Sequence, residues 1–241
     1  MAPALDETTA PAAAEQIIRF IQGLRRYLLG LLLTATALTV TLYFLTPALL
    51  DHLQDHLHQE LAYFTVAEPM LARIKLALFT ALFVLMPVLT LLFWTALSRP
   101  FGIPVSQRKW FLLFTCLLFY GGAWFCYAIT LPFGVSFLLG FETAQLKPVI
   151  AVGEFVTFVS LFILGFGLIF ELPILMVFAA RSGLVSRQAF ERNRRYAVLI
   201  ISIVAALLTP TPDIVNMLLM AVPLYLLYEA GIIALRLLRS N

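Results

Sequence analysis

Gly165-Phe166-Gly167-Leu168-Ile169-Phe170-Glu171-Leu172-Pro173 sets a carboxylate in an apolar stretch that carries no other charge between Glu154 and Arg181. A stretch of that length can cross a hydrocarbon core of about 30 Å. At such depth a carboxylate is costly unless it is protonated, paired or facing water, so Glu171 reads by default as part of a functional site. Pro173, two residues on, predicts a kink. The rest of the chain agrees with a membrane setting: 62% of its 241 residues are hydrophobic, 12% are charged and the mean hydropathy is +0.97. That composition excludes a water-soluble domain of this size.

Apolar runs at 27–46, 74–97, 110–133, 155–180, 196–209 and 214–235 predict six transmembrane helices and an all-α, polytopic fold. Loop charges orient them. Arg19, Arg25, Arg26, Arg99, Arg108, Lys109, Arg181, Arg187, Arg192, Arg194, Arg195, Arg236 and Arg239 fall on one side, leaving Arg73, Lys75 and Lys147 opposite. Both termini are therefore expected in the cytoplasm, in a multi-pass protein of the inner membrane. The net charge of +3 is a topology signal, because the basic residues sit at span ends, and it does not point to nucleic acid. The last two spans read as short. Seventeen residues separate Arg195 from Asp213, and fifteen separate Asp213 from Glu229. These correspond to about 26 Å and 22 Å of helix, so the pair would thin the bilayer or tilt its neighbours.

Residues 1–18, rich in Ala and Pro with Asp6, Glu7 and Glu15, read as a mobile cytoplasmic tail ahead of one membrane domain over 19–241. The apolar run after Arg25-Arg26 continues to Leu50 without a small-residue cleavage site, which favours a span over a removed signal peptide. Cys116 and Cys126 lie about 15 Å apart along one helix, beyond disulfide reach, and read as packing residues. His52 and His56 have the i, i+4 spacing of a metal pair, but no fourth ligand is evident. Leu49, Leu50, Leu53, Leu57 and Leu61 instead favour an amphipathic helix on the outer face. No phosphate-binding glycine loop, nucleophile triad or cysteine metal cluster argues for an enzyme, and no cofactor is expected.

Five segments, in order, carry a family resemblance. They are Thr65-Val66-Ala67-Glu68-Pro69 leading to Lys75-Leu76; Phe166-Gly167 with Phe170-Glu171-Leu172-Pro173; and Arg194-Arg195-Tyr196. Leu208-Thr209-Pro210 with Pro212-Asp213 follows, then Ala221-Val222-Pro223-Leu224-Tyr225 with Tyr228-Glu229. The chain resembles TatC, the six-helix core subunit of the twin-arginine, Sec-independent protein translocase, over essentially its whole length. The resemblance implies a non-enzymatic receptor that works with single-span TatB-like and TatA-like partners, and with further TatC copies. It would bind twin-arginine signal peptides on the cytoplasmic side and take part in moving folded proteins by the proton-motive force.

Two departures bear on that role. Paired guanidiniums want carboxylates as bidentate partners. The family's first cytoplasmic segment resembles His-Leu-x-Glu-Leu-Arg, and here Gly23 stands at the glutamate position while Arg25 is kept. A second recognition glutamate is expected before the basic residues between helices two and three, and Gln107 stands there. With both acids gone, Arg25, Arg26, Arg108 and Lys109 would oppose a doubly positive ligand, so recognition is expected to be weakened or altered. Glu15 and Glu191 are the remaining cytoplasmic acids. Glu171 is expected in a wet intramembrane cavity, and Thr209 with Met217, where a glutamine is usual, at the docking patch for a partner helix. Glu68, Pro69, Asp213 and Glu229 are further family positions, with Glu229 expected to pair with Arg236 at i+7 or to reach headgroups. Pro47 is a candidate for the proline motif of the first outer loop. Two other classes compete. A secondary solute transporter would couple to protons through Glu171, and a structural scaffold would hold TatA/TatB-like helices without recognising a signal.

Overall fold

The computed structural model describes residues 29–57, 61–98, 100–102, 104–139, 150–208 and 214–238. Helix α1 (Leu29–Tyr43) breaks at a turn where the Thr46 hydroxyl donates to the Tyr43 carbonyl at 2.7 Å. The chain then departs at 69° into α2 (Thr46–Leu57), whose second residue is Pro47, a position where proline suits a helix start. This is the expected amphipathic segment, lying crosswise to α1.

A two-residue strand β1 (Leu61–Ala62) leads to α3 (Glu68–Ser98). Next come α4 (Val105–Phe125), a π-helical turn (Cys126–Thr130) and α5 (Leu131–Leu139). Strand β2 (Ile150–Ala151) precedes α6 (Val152–Phe170) and α7 (Leu172–Arg181). The short α8 (Arg187–Arg192), α9 (Arg194–Leu208) and α10 (Ile214–Leu237) complete the order. β1 and β2 pair in parallel, Leu61 with Ile150 and Ala62 with Ala151, a small departure from the all-α expectation. Its cause is local: two extended approaches to α3 and α6 run side by side.

Among the described residues, four helical stretches are long and apolar enough to cross a membrane: Glu68–Ser98, Val105–Ser136, Val152–Arg181 and Met220–Leu237. The bent pair α1 and α2 makes a fifth only if taken together. Helix α9 is described over 15 residues, Arg194–Leu208, about 22 Å, with 209–213 outside the described residues. By contrast, α10 exceeds the length that its charges predict: its 24 residues extend about 36 Å, because the helix continues through Glu229 to Leu237 instead of ending at the charge.

Helix α6 packs on α3 and α4, and α10 packs on α7 and α9. Missing side chains allow these crossings. A Cβ at Gly122 would lie 2.5 Å from the Phe170 ring and 2.9 Å from the Phe166 carbonyl, and one at Gly167 would lie 2.6 Å from the Phe119 ring. On the other side, Gly231 of α10 admits Met176, whose sulfur would meet a Cβ at 2.7 Å. Close approach through small residues is how helices gain van der Waals contact where lipid supplies no hydrophobic drive between them.

One core cluster joins Phe155, Val156, Val159 and Phe166 of α6 to Met220, Leu224 and Ile232 of α10. A second gathers Trp94, Phe111, Ile174, Val177, Phe178 and Leu235. In it the Trp94 ring stacks on Phe111 at 4.6 Å between centroids, and its indole N–H donates to the Thr115 hydroxyl at 3.0 Å.

Candidate functional site

Glu171 occupies the joint between α6 and α7. Pro173 has no N–H to continue the ladder, so α6 closes with the Glu171 amide donating to Leu168 at 3.1 Å, and α7 reopens with the Leu175 amide donating to the Glu171 carbonyl at 3.1 Å. The side chain turns inward with only 9% of its surface exposed, and its Oε1 is buried without a hydrogen-bond partner. Of the two cavities described below, neither has Glu171 in its lining.

Gln107 lies exposed in the first turn of α4, next to half-buried Arg108 and exposed Lys109. It shares the rim of a groove with Arg181 of α7. Glu191 is committed elsewhere: its Oε1 accepts from Arg236 Nε at 2.9 Å and lies 3.5 Å from Arg187 Nε. The Arg236 hydrogen bond, with the charges of Arg187, Arg236 and Arg194, holds the Glu191 carboxyl below its ordinary range against the opposing effect of burial.

The expected pairing of Glu229 with Arg236 is thus replaced. Arg194 at the start of α9 donates to Glu229 Oε2 at 3.0 Å, and Tyr225, one turn earlier on α10, donates to Oε1 at 3.1 Å. An i+7 pair spans two turns, about 11 Å of rise, whereas the fold brings Arg194 directly alongside. Tyr228 adds a third link by donating to the Phe190 carbonyl at 2.8 Å. Together these bonds fasten α8 and the start of α9 to the last turns of α10. Only the i, i+4 relation of Tyr225 to Glu229 was visible in the sequence.

At the opposite end Glu68 acts as a double acceptor. Its Oε2 takes the Phe64 amide at 2.9 Å and its Oε1 the Gly153 amide at 3.1 Å, which ties the β1 approach to the start of α6. Pro69 follows in the first turn of α3, and Lys75 donates to Thr157 at 3.1 Å across the same helix pair.

His52 and His56 both engage Tyr127 in the π-helical turn. His52 Nε2 lies 3.0 Å from the phenol oxygen and His56 Nε2 donates to the backbone carbonyl at 3.1 Å, with the His56 and Tyr127 rings stacked at 4.1 Å. The i, i+4 spacing serves to latch α2 onto the π-helical turn that follows α4. Beside this latch lies a cavity of about 340 Å³ lined by His52, Tyr120, Trp124 and Tyr127 with Thr80 and Ser160. Cys126 is fully buried, and both cysteines are free.

Met217 is half-buried and packs against the larger core cluster. Gly23, Arg25, Glu15, Thr209, Asp213 and the 1–18 tail lie outside the described residues.

Comparison with known proteins fits this arrangement. The family model described as Sec-independent protein translocase protein (TatC) matches residues 19–223. The TatC of Koribacter versatilis is 38% identical over 181 residues, covering 74% of this chain and 66% of that protein. The TatC of Carboxydothermus hydrogenoformans is 32% identical over 179 residues, covering 73% of each. The chain thus spans about two thirds of the length of such relatives. A crystal structure of the twin-arginine translocase receptor TatC in DDM superposes with a TM-score of 0.79 at 26% identity, covering 89% of this chain and 98% of that one. Apolar spans, the interrupted helix at Glu171 and the ordered family motifs therefore converge with these matches, and the chain belongs to the TatC family.

Proposed function

We propose that this chain is the TatC-type subunit of a twin-arginine translocase, a transport protein and not an enzyme. It sits in the inner membrane with six spans and both termini in the cytoplasm, beside TatB-like and TatA-like single-span partners. The observation that carries this reading is the family match over residues 19–223. In this reading α9 contributes the fifth span and α10 the sixth, and Glu171 serves the passage of the signal peptide or a partner helix.

Signal reception is retuned. Gln107 offers a neutral amide beside Arg108, Lys109 and Arg181, and Glu191 is held by Arg236. A doubly positive signal meets no free described carboxylate at 107, so direct binding there is weaker than a glutamate would give.

The test is export of a twin-arginine cargo in cells whose only TatC-type subunit is this chain, expressed with its native partners. Export that depends on the chain is expected, and its absence with the chain correctly inserted overturns the reading. Photocrosslinking from positions 23 and 107 to the precursor then addresses reception. Gain of crosslinks in the Gly23→Glu, Gln107→Glu double variant supports retuning, whereas strong twin-arginine-dependent crosslinks in the natural chain refute it.

A further inference from the structure

At the end of the molecule that carries Gln107 and Arg181, a groove of about 500 Å³ opens between α4, α7 and α10. Its walls are bulky and apolar, with Trp110, Phe114 and Leu118 facing Ile174, Val177 and Leu237. Among the described residues the lining holds a single ionisable group, Arg181, and a single neutral polar side chain, Gln107. Arg181 closes the candidate span Val152–Arg181, is exposed, and has no ion-pair partner among the described residues. Trp110 is 60% exposed at the same rim, where amphipathic rings favour the headgroup level.

Helix α4 begins at the same place without a side-chain cap on Pro104. Its first intrahelical bond runs from the Arg108 amide to the Pro104 carbonyl, so the amides of Val105, Ser106 and Gln107 have no partner within the helix, at its positive end. Arg108 flanks this turn. A deep apolar slot, a cationic rim and amides without a partner in the helix together suit an anion with a hydrocarbon tail. They do not suit a ligand bearing paired guanidiniums, which Arg181 would repel, and a wall of bulky side chains with Ala234 as its one small described residue gives a second helix little close backbone approach.

We propose that this groove holds one acyl chain of an anionic phospholipid, with its phosphate between Arg181 and the first turn of α4. The groove shares Gln107 and Arg181 with the surface proposed for signal reception, and the test reads lipid contact without any signal peptide present.

The test uses the full chain with Trp124→Phe, in which Trp110 is the exposed tryptophan and Trp94 is buried. It is placed in nanodiscs of phosphatidylcholine doped with dibrominated phosphatidylglycerol or dibrominated phosphatidylcholine, and tryptophan quenching is followed. One rim cation predicts that the anionic lipid quenches at about five-fold lower mole fraction. Arg181→Gln should bring the two lipids to parity, while Arg181→Lys keeps most of the preference. Equal quenching by both lipids in the Trp124→Phe protein means that the groove takes any chain, and it overturns the proposal. So does absence of quenching by either, which would mean that a protein segment fills the groove. Should Arg181→Gln fail to fold, the comparison of the two lipids decides alone.

Discussion

At Glu171 stability and use pull in opposite directions. A buried carboxylate oxygen with no partner is an expense for the fold, and removing such a group while keeping its bulk relieves the desolvation penalty. Glu171→Leu is therefore expected to stabilise the purified protein by about 1–3 kcal/mol, read as a higher thermal midpoint in detergent. The same variant should lose cargo export while inserting normally. A less stable Leu variant, or full export, would remove Glu171 from the functional site. This residue was legible in sequence because a lone acid among apolar residues has few explanations. Partners were not. Arg194 and Glu229 are 35 residues apart, and nothing in local periodicity reports that the start of α9 comes to rest beside the end of α10. The partner of the histidine pair was hidden for the same reason, since Tyr127 lies 71 to 75 positions away.

Elements meet here through glycines and polar clasps, and each kind fails differently. At Gly122 an added methyl would meet the Phe166 carbonyl at 2.9 Å, an atom that cannot swing aside. Gly122→Ala should cost about 1–3 kcal/mol by overpacking the contact of α4 with α6. Denaturation in mixed micelles measures it, and an unchanged midpoint would show that the helices can part without loss. The clasp of α8 on α10 responds to acidity. Because Arg236 holds the Glu191 carboxyl below its ordinary range, the pair contributes fully above the unfolded-state value and loses its contribution as pH falls through the lower, folded-state value. Amide exchange in Arg187–Arg192 should accelerate over that acidic interval in the natural chain, and Glu191→Gln should show fast exchange at neutral pH with no further change on acidification. The apolar runs foretold these helices, and the run 214–235 foretold nearly the full extent of α10, whereas the spacing of charges did not. Glu229 looked like an end because charge marks a span boundary, but a helix continues past a membrane surface as readily as it crosses it.

For the whole molecule the governing dimension is the 15-residue described extent of α9, which packs on the 24-residue α10. About 22 Å of helix must be reconciled with a hydrocarbon core of about 30 Å. Reconstitution in lipids of increasing chain length should lower the thermal midpoint progressively, because each added ångström costs a fraction of a kcal/mol in mismatch. A midpoint that rises with thickness would mean that the molecule does not thin its surroundings.

The π-helical turn at Cys126–Thr130 carries a consequence for anyone mapping this protein by labels. A π-turn takes up one more residue than an α-turn, and each residue advances the winding by about 100°. Leu131–Leu139 is therefore out of phase with Val105–Phe125, although the two are continuous along the chain. An accessibility scan fitted with one helical wheel across both halves would assign the far half to the wrong side of the protein. Two wheels, offset by that angle and joined at Tyr127, should fit.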